Sequence, residues 1–190
     1  MSVNSLIVAA NGSVPGNILK PHNCHEAVLG WLLMAKYPSL CNVDPLSHGV
    51  EKAWLTLRSL SERYGEGAPK QLTGKWMSQN IYKQGYARVQ PPLNIGSMAL
   101  GDVLFMGNRA APHHSMVVVQ KKGIQVFARG FNNAGAFGGP YMGWDPQLRD
   151  MSDATRWDSQ GRFKANNGPA ELYSISYNSV CQNIPDDLNF

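Results

Sequence analysis

The longest apolar stretch of the chain covers residues 27–35 and is apolar around its whole circumference apart from one glycine. Polar residues precede it, where Asn23 is a suitable N-cap and Glu26 completes a capping-box pattern. Pro38 follows it and cannot continue a helix. The pattern predicts a helix that begins at Cys24 and is buried on all sides, with its one polar cluster at its N-terminal end.

Shorter helical and strand patterns surround this helix. Residues 5–10 form a short run that is mostly apolar and is followed by a loop with glycine and proline, which favours a strand. Residues 47–64 and 73–84 carry large apolar side chains at helical spacing, and a glycine follows each segment. Both segments are predicted to be helices that pack against the core.

The second half of the chain has the pattern of strands. Residues 99–106, 115–120 and 124–129 are rich in apolar and β-branched side chains, and residues 121–123 form a tight turn between the last two segments. A further strand is expected at residues 171–177. Helices followed by neighbouring antiparallel strands predict an α+β fold.

Length and composition fit one globular domain that spans residues 1–190. Apolar residues make up 43% of the chain and charged residues 16%, which excludes a disordered chain. The net charge is +4, but no basic run exceeds Lys121-Lys122, so we expect no nucleic-acid partner. No apolar run reaches the roughly 18 residues that a transmembrane helix needs. No basic segment precedes the first apolar run, so we expect no secretory signal peptide.

The three cysteines lie in different settings. Cys24 is predicted at the first position of the buried helix, where the helix dipole and the unpaired amides favour an anion. Thiols at helix N-termini ionise more easily, and the thiolate is the reactive form, although a buried core cysteine is the alternative interpretation. Cys41 lies in a proline-bounded loop and Cys181 follows the last strand, so neither has such a setting. Three cysteines are too few for a disulfide framework, which fits synthesis in a reducing cytoplasm.

A cysteine nucleophile needs a base within hydrogen-bond reach, and this base is usually a histidine. His113 and His114 stand at the entrance to the strand at residues 115–120. Because side chains alternate between the two faces of a strand, only one of these histidines can point at Cys24. We favour His114, with His113 as the alternative. Both histidines could instead be solvated loop residues.

Metal binding is a third interpretation of the same histidines. The candidate ligands would be His22, Cys24, His25, His113 and His114. Their His-x-Cys-His spacing matches no usual zinc pattern. We therefore expect neither a metal nor another cofactor.

An orienting group for the histidine is expected after the strand that follows it. Asn132 and Asn133 lie near that strand end and can accept a hydrogen bond from an imidazole N–H, and Asn132 is the first choice. Its alternative role is to support a glycine-rich turn. The backbone N–H groups at the helix start, at Asn23 and Cys24, are the candidates for holding a developing oxyanion.

Three segments together resemble the papain-like cysteine hydrolases, especially their NlpC-like and CHAP-like bacterial branches. They are Asn-Cys-x-x-Ala-Val-x-x-Trp at residues 23–31, Gly-Asp-Val-Leu-Phe at 101–105 and His-Ser-Met-Val-Val-Val at 114–119. The resemblance implies a papain-like fold, in which the cysteine helix packs on the antiparallel sheet. It also implies an acyl-thioester mechanism that uses Cys24 and His114. The glutamine that papain carries before its cysteine has no counterpart here, so backbone amides would hold the oxyanion.

This resemblance implies cleavage of amide bonds in a protein or in a peptidoglycan stem peptide. A second interpretation uses the same pair to deamidate or transamidate a glutamine side chain. A third is a non-catalytic interaction domain, in which aromatic residues of a loop at residues 130–143 bind a partner. Similar helix starts occur in bacterial toxin and effector domains. That likeness implies synthesis in a bacterial cytoplasm, export into a target cell by a specialised system, and a cognate immunity protein as partner.

Overall fold

The computed structural model of the chain describes six segments. They are residues 2–11, 24–36, 69–90, 95–130, 149–165 and 168–184. The helices in these segments are α1 (Val3–Asn11), α2 (Cys24–Lys36), α3 (Pro69–Asn80) and α4 (Tyr177–Asn183). The strands are β1 (Tyr86–Arg88), β2 (Val103–Asn108), β3 (Ala111–Lys122), β4 (Gln125–Gly130), β5 (Arg149–Asp150), β6 (Phe163–Ala165), β7 (Gly168–Ala170) and β8 (Leu172–Ile175).

A six-stranded sheet organises the described part of the chain, with its strands in the order β1-β8-β2-β3-β4-β5. Every pair of neighbouring strands is antiparallel. Strands β6 and β7 form a separate two-stranded sheet. The structure thus confirms the α+β fold with an antiparallel sheet that the order of patterns predicts. None of the described helices is long and apolar enough to cross a bilayer.

Each face of the large sheet contributes to its own apolar core. The helices cover one face, which we call the helix face, and its buried sheet residues are Val103, Phe105, Val117, Val119, Tyr173 and Ile175. We call the opposite side the far face, and its buried sheet residues are Leu104, Met106, Met116, Val118, Val126, Ala128 and Leu172. Successive residues of one strand contribute alternately to the helix-face core and to the far-face core, as the two-residue period of a strand requires.

The first element of the chain is a helix, so the strand expected at residues 5–10 is wrong. Leu6 and Ala10 are fully buried and Ala9 is nearly so, whereas Val8 is 65% exposed. Positions 6, 9 and 10 share one side of a chain only at the helical period. A short helix therefore buries these side chains together, which a strand could not do.

The cysteine helix begins where the sequence predicts, with Cys24 as its first residue. Among the described side chains of residues 27–35, the following are buried: Ala27, Val28, Leu29, Trp31, Leu32 and Ala35. The burial of these described side chains confirms that α2 is a core helix. Asn23, the expected N-cap, lies outside the described residues.

Other boundaries differ from the expectations. Helix α3 begins at Pro69 instead of residue 73, because proline at the first helical position is compatible with helix geometry. The strand expected at residues 171–177 ends early, since the side chain of Ser176 caps helix α4 by accepting a hydrogen bond from the Ser179 N–H. The helix expected at residues 47–64 lies outside the described part of the chain, and so does the loop at 130–143 apart from Gly130.

Candidate active site at the start of helix α2

Helix α2 places Cys24 at its first position, against the start of strand β3. The Cys24 side chain is 5% exposed, and its Sγ lies 3.7 Å from the main-chain carbonyl oxygen of His113. A thiol can donate a hydrogen bond to that oxygen in this arrangement. The first residues of a helix carry unpaired N–H groups and the positive end of the helix dipole, which favour a negative charge when the thiol ionises.

A chain of buried hydrogen bonds begins at the next residue of α2 and reaches the sheet. The Nδ1 of His25 lies 2.8 Å from the Oγ of Ser115, and the same Oγ lies 2.9 Å from the Tyr82 hydroxyl. His25 and Ser115 are completely buried, and Tyr82 is 2% exposed. Buried polar groups are costly without partners, and these three side chains supply partners to one another.

Close packing holds both ends of this hydrogen-bonded chain. The Tyr82 ring stacks parallel to the Phe105 ring, with the centroids 4.4 Å apart. Helix α3 approaches so closely that a Cβ on Gly74 would lie 3.0 Å from the Nε2 of His25 and 2.5 Å from the carbonyl oxygen of Pro112. Only a residue without a side chain fits where α3 crosses the site.

The hydroxyl of Tyr82 is held in its neutral form. Burial raises the pKa of the phenol, the hydrogen bond with Ser115 opposes this rise, and negative charge on Cys24 adds to it. The phenol therefore remains a hydrogen-bond donor at physiological pH.

His114, the base favoured from the sequence, lies on the far face of the sheet. It pairs with Met106 in β2, and both Met106 and Met116 belong to the far-face core. A Cβ on Gly130 would lie 3.0 Å from the Nε2 of His114, so the imidazole lies beside β4 on that face. Cys24 belongs to the helix-face core. The structure therefore places the side chains of His114 and Cys24 on opposite faces of the sheet, although the sequence analysis pairs them. Strand alternation puts His114 on the face of Met116 as expected, but the helices that carry Cys24 cover the opposite face.

His113, the alternative base, lies at an irregular point in β3. The register with β2 shifts between His114 and Pro112, which leaves His113 as the extra residue of a β-bulge. Its side chain is exposed, and a Cβ on Gly107 would lie 2.1 Å from its Nδ1. Bulges re-aim side chains and occur often beside active sites. His113 thus brings a carbonyl oxygen to Cys24 and carries an accessible imidazole.

The remaining candidates lie outside the described residues or in helix α4. Asn23, Asn132, Asn133 and Cys41 are outside the described residues, so the expected orienting asparagines and the N-cap part of the expected oxyanion site cannot be placed. Cys181 lies in α4, where burial raises the pKa of its thiol and disfavours the thiolate. Within the described segments, no group of three or more His, Cys, Asp or Glu side chains is arranged to hold a metal ion.

The sequence does not predict the roles of Ser115 and Tyr82. A usable signal exists for Ser115, because it is the polar member of the apolar run at residues 115–119 and shares the strand face of Val117. Tyr82 carries no local signal, since its contact with Ser115 depends on how α3 packs against the sheet. His25 is visible in the sequence only as a member of the polar cluster that precedes the apolar helix.

No family model matches this chain, and no curated protein or solved structure matches it either. The resemblance to papain-like hydrolases therefore stays a prediction from three short segments. The site geometry is the stronger basis for a functional proposal.

Proposed function

We propose that this protein is a papain-like cysteine hydrolase that cleaves amide bonds, with Cys24 as the nucleophile and His113 as its base. One observation carries the proposal: the thiol at the start of a buried helix contacts the main chain of His113 in β3. Nucleophilic catalysis by cysteine needs a thiol that ionises easily and a histidine close to it. His113 takes the role expected for His114, because His114 lies on the far face of the sheet.

The reaction would pass through an acyl-thioester. The imidazole of His113 accepts the thiol proton while the sulfur bonds to the amide carbonyl carbon and an electron pair moves onto the oxygen. Collapse of this tetrahedral intermediate breaks the C–N bond, and the amine leaves with the proton that His113 returns. Water then attacks the thioester and gives one proton to His113. The carboxylic acid is released, and the thiol regains its proton.

The contact with the carbonyl oxygen of His113 defines the resting state. A thiol can donate to that oxygen, but a thiolate is repelled by it, so the sulfur must turn away from the oxygen as it ionises. The N–H groups of the first turn of α2 then lie near the negative sulfur and near the developing oxyanion of the substrate. Ionisation and attack are thus favoured at the same helix end.

The substrate class that we propose is a peptide, either a protein chain or a peptidoglycan stem peptide. The exposed side chain of His113 supports this choice, because an extended substrate has to reach the site from the surface. Following the resemblance, we propose a bacterial effector that is made in the cytoplasm, is exported into a target cell and is neutralised by an immunity protein.

The test compares the wild type with Cys24→Ala, His113→Ala and the matched control His114→Ala. Each protein is incubated with purified peptidoglycan and, separately, with a bacterial lysate, and mass spectrometry identifies the products. Cell-wall fragments or new protein termini that disappear in the first two variants and persist in the control support the proposal, provided that the thermal melts agree. Full activity of Cys24→Ala overturns it. Conversion of glutamine to glutamate without new termini identifies a deamidase instead.

A further inference from the structure

The turn between β2 and β3 places a positive charge beside the candidate site. Arg109 lies in this turn, two residues after Gly107, and the backbone of Gly107 lies directly against the imidazole of His113. The Arg109 side chain is exposed, and its guanidinium carbon lies 5.0 Å from the centroid of the Tyr86 ring. Because a guanidinium is attracted to the face of an aromatic ring, Tyr86 helps to hold this charge in place.

Helix α3 connects this turn to the start of α2. The Ser78 hydroxyl of α3 donates a hydrogen bond to the carbonyl oxygen of Arg109. One turn earlier in α3, Gly74 packs closely against His25 of α2 and against the carbonyl oxygen of Pro112. The same helix therefore contacts both the turn that carries Arg109 and the helix that carries the thiol.

A group of aromatic rings supports Tyr86 from inside the sheet. Phe105 stacks on Tyr82 with the ring centroids 4.4 Å apart, and on Tyr173 with the centroids 5.3 Å apart. The Tyr86 ring meets the rings of Phe105 and Tyr173 edge-on, with the centroids 5.9 Å apart in each pair. Tyr82 is hydrogen-bonded to Ser115 in the candidate site. The aromatic support of Arg109 is therefore continuous with the packing of that site.

The charge of Arg109 is available to a ligand. Glu171 is the acidic residue next to Gly107 in the sheet, since its carbonyl oxygen accepts a hydrogen bond from the Gly107 N–H at 2.9 Å. Its carboxylate forms an ion pair with Arg88, with an N–O distance of 3.2 Å. Within the described segments, no carboxylate forms an ion pair with Arg109, and α3 beside it contributes Lys75 and no acidic residue. An exposed guanidinium in this setting suits a carboxylate, whose two oxygens match its planar array of donors.

We propose that Arg109 binds a carboxylate of the peptide substrate, so that the protein selects amide bonds close to an acidic side chain or to a free C-terminus. The two residues from Gly107 to Arg109 span at most about 7 Å, which an extended peptide covers in about two residues. The side chains add to this distance, so we expect the carboxylate within about four residues of the scissile bond. This inference rests on the proposed function, because it names the substrate class of the same site.

The first test maps the cleaved bonds. The whole protein is incubated with peptides from a digested bacterial lysate, and mass spectrometry records where acidic side chains and C-termini lie relative to each new end. In the wild type we expect peptides with a carboxylate near the cleaved bond to react about fivefold faster than the others. Arg109→Gln should lose this preference and Arg109→Lys should keep part of it. Lys122→Gln is the matched control, since Lys122 lies over the Phe127 ring at the opposite end of β3, and it should keep the full preference.

The second test measures binding without turnover, by NMR titration of the whole chain with Cys24→Ala. The probes are three acetylated hexapeptides of alanine with one variable residue: glutamate with an amidated end, glutamine with a free C-terminus, and glutamine with an amidated end. The first two probes distinguish a side-chain carboxylate from a terminal one. We expect at least one of them to bind about fivefold more tightly than the neutral probe, and Arg109→Gln to remove the difference.

Equal binding of the three probes, or binding of none, overturns the role of Arg109. Cleavage by the wild type without any preference for carboxylates overturns it as well and leaves the proposed hydrolysis intact. Retained hydrolysis in Cys24→Ala would instead overturn the proposed function, whereas the binding measurements test Arg109 alone.

Discussion

The Sγ of Cys24 and the carbonyl oxygen of His113 lie 3.7 Å apart, although 89 positions separate these residues in the sequence. Their contact joins the first turn of α2 to the bulge in β3. The thiol at the helix start therefore meets the main chain of His113 in a neighbouring strand. The residues around this contact can be substituted individually to test it.

Gly107 lies directly against the imidazole of His113. A Cβ at this position would be 2.1 Å from the Nδ1 of His113, and the backbone φ is +98°. Gly107→Ala should lose about 1–3 kcal/mol of stability because of this backbone conformation. It should also displace the imidazole, which we expect to lower the hydrolysis rate by about 100-fold. Denaturant unfolding and the product assay measure the two effects.

The matched control for this change is Gly168→Ala. Gly168 has a similar φ of +105°, but no atom of the described residues lies within 4 Å of an added Cβ. We expect a comparable loss of stability with full activity. If Gly107→Ala kept the activity of Gly168→Ala, the position of the His113 ring would not matter for the reaction.

Gly74 is the point where helix α3 passes the site. An added Cβ would lie 2.5 Å from the carbonyl oxygen of Pro112 and 3.0 Å from the Nε2 of His25, so the backbone would have to move. Gly74→Ala should lower the free energy of unfolding by about 1–3 kcal/mol, despite the better helix propensity of alanine. Gly96→Ala, whose added Cβ meets no atom of the described residues within 4 Å, should change the free energy of unfolding little. Equal stability of the two variants in urea titrations would refute the close approach of α3.

Asp102 links the start of β2 to the start of α4. Its carboxylate accepts hydrogen bonds from the Ala99 N–H at 2.8 Å and from the Tyr177 N–H at 3.3 Å. Burial nevertheless raises the pKa of this carboxyl group, against the opposing effects of these two hydrogen bonds and of Lys121.

The raised pKa sets the sign of a pH dependence. The folded state holds the Asp102 proton more tightly than the unfolded state, so this carboxyl group stabilises the fold most at low pH and less as the pH rises above about 4. The stability advantage of the wild type over Asp102→Asn should therefore fall between about pH 3 and pH 7. Urea unfolding of both proteins across this range measures the difference. An advantage that grows with pH would mean that the ionised form is favoured by the fold.

Several elements of the fold follow from local pattern alone. Helix α2 and strand β4 match their predicted positions closely, and β3 contains the predicted strand at residues 115–120 but begins four residues earlier, at Ala111. Long periodic runs and a glycine turn are local signals. Helix α1 does not match the strand predicted there, because a short apolar run is compatible with both the helical period and the strand period. The sequence pattern does not predict helix α4 either, because the apolar residues around its Ser176 cap continue the pattern of the preceding strand.

The candidate site shows the same division between local and long-range information. A polar cluster before an apolar run predicts Cys24 at the helix start, and this position is confirmed. Alternation predicts that His114 shares a face with Met116, but it cannot tell which face the helices cover. That choice depends on tertiary packing, and so does the contact between Tyr82 and Ser115.

The pairing of Cys24 with His113 can be tested by the rate at which iodoacetamide alkylates Cys24 as a function of pH, with peptide mass spectrometry to follow each cysteine separately. We predict that Cys24 reacts well below about pH 8.5, where ordinary thiols become reactive, and that His113→Ala moves its reactivity up to that range. His114→Ala should leave the profile unchanged. Reactivity of Cys24 equal to that of Cys41 and Cys181, or a profile altered by His114→Ala and not by His113→Ala, would contradict this pairing.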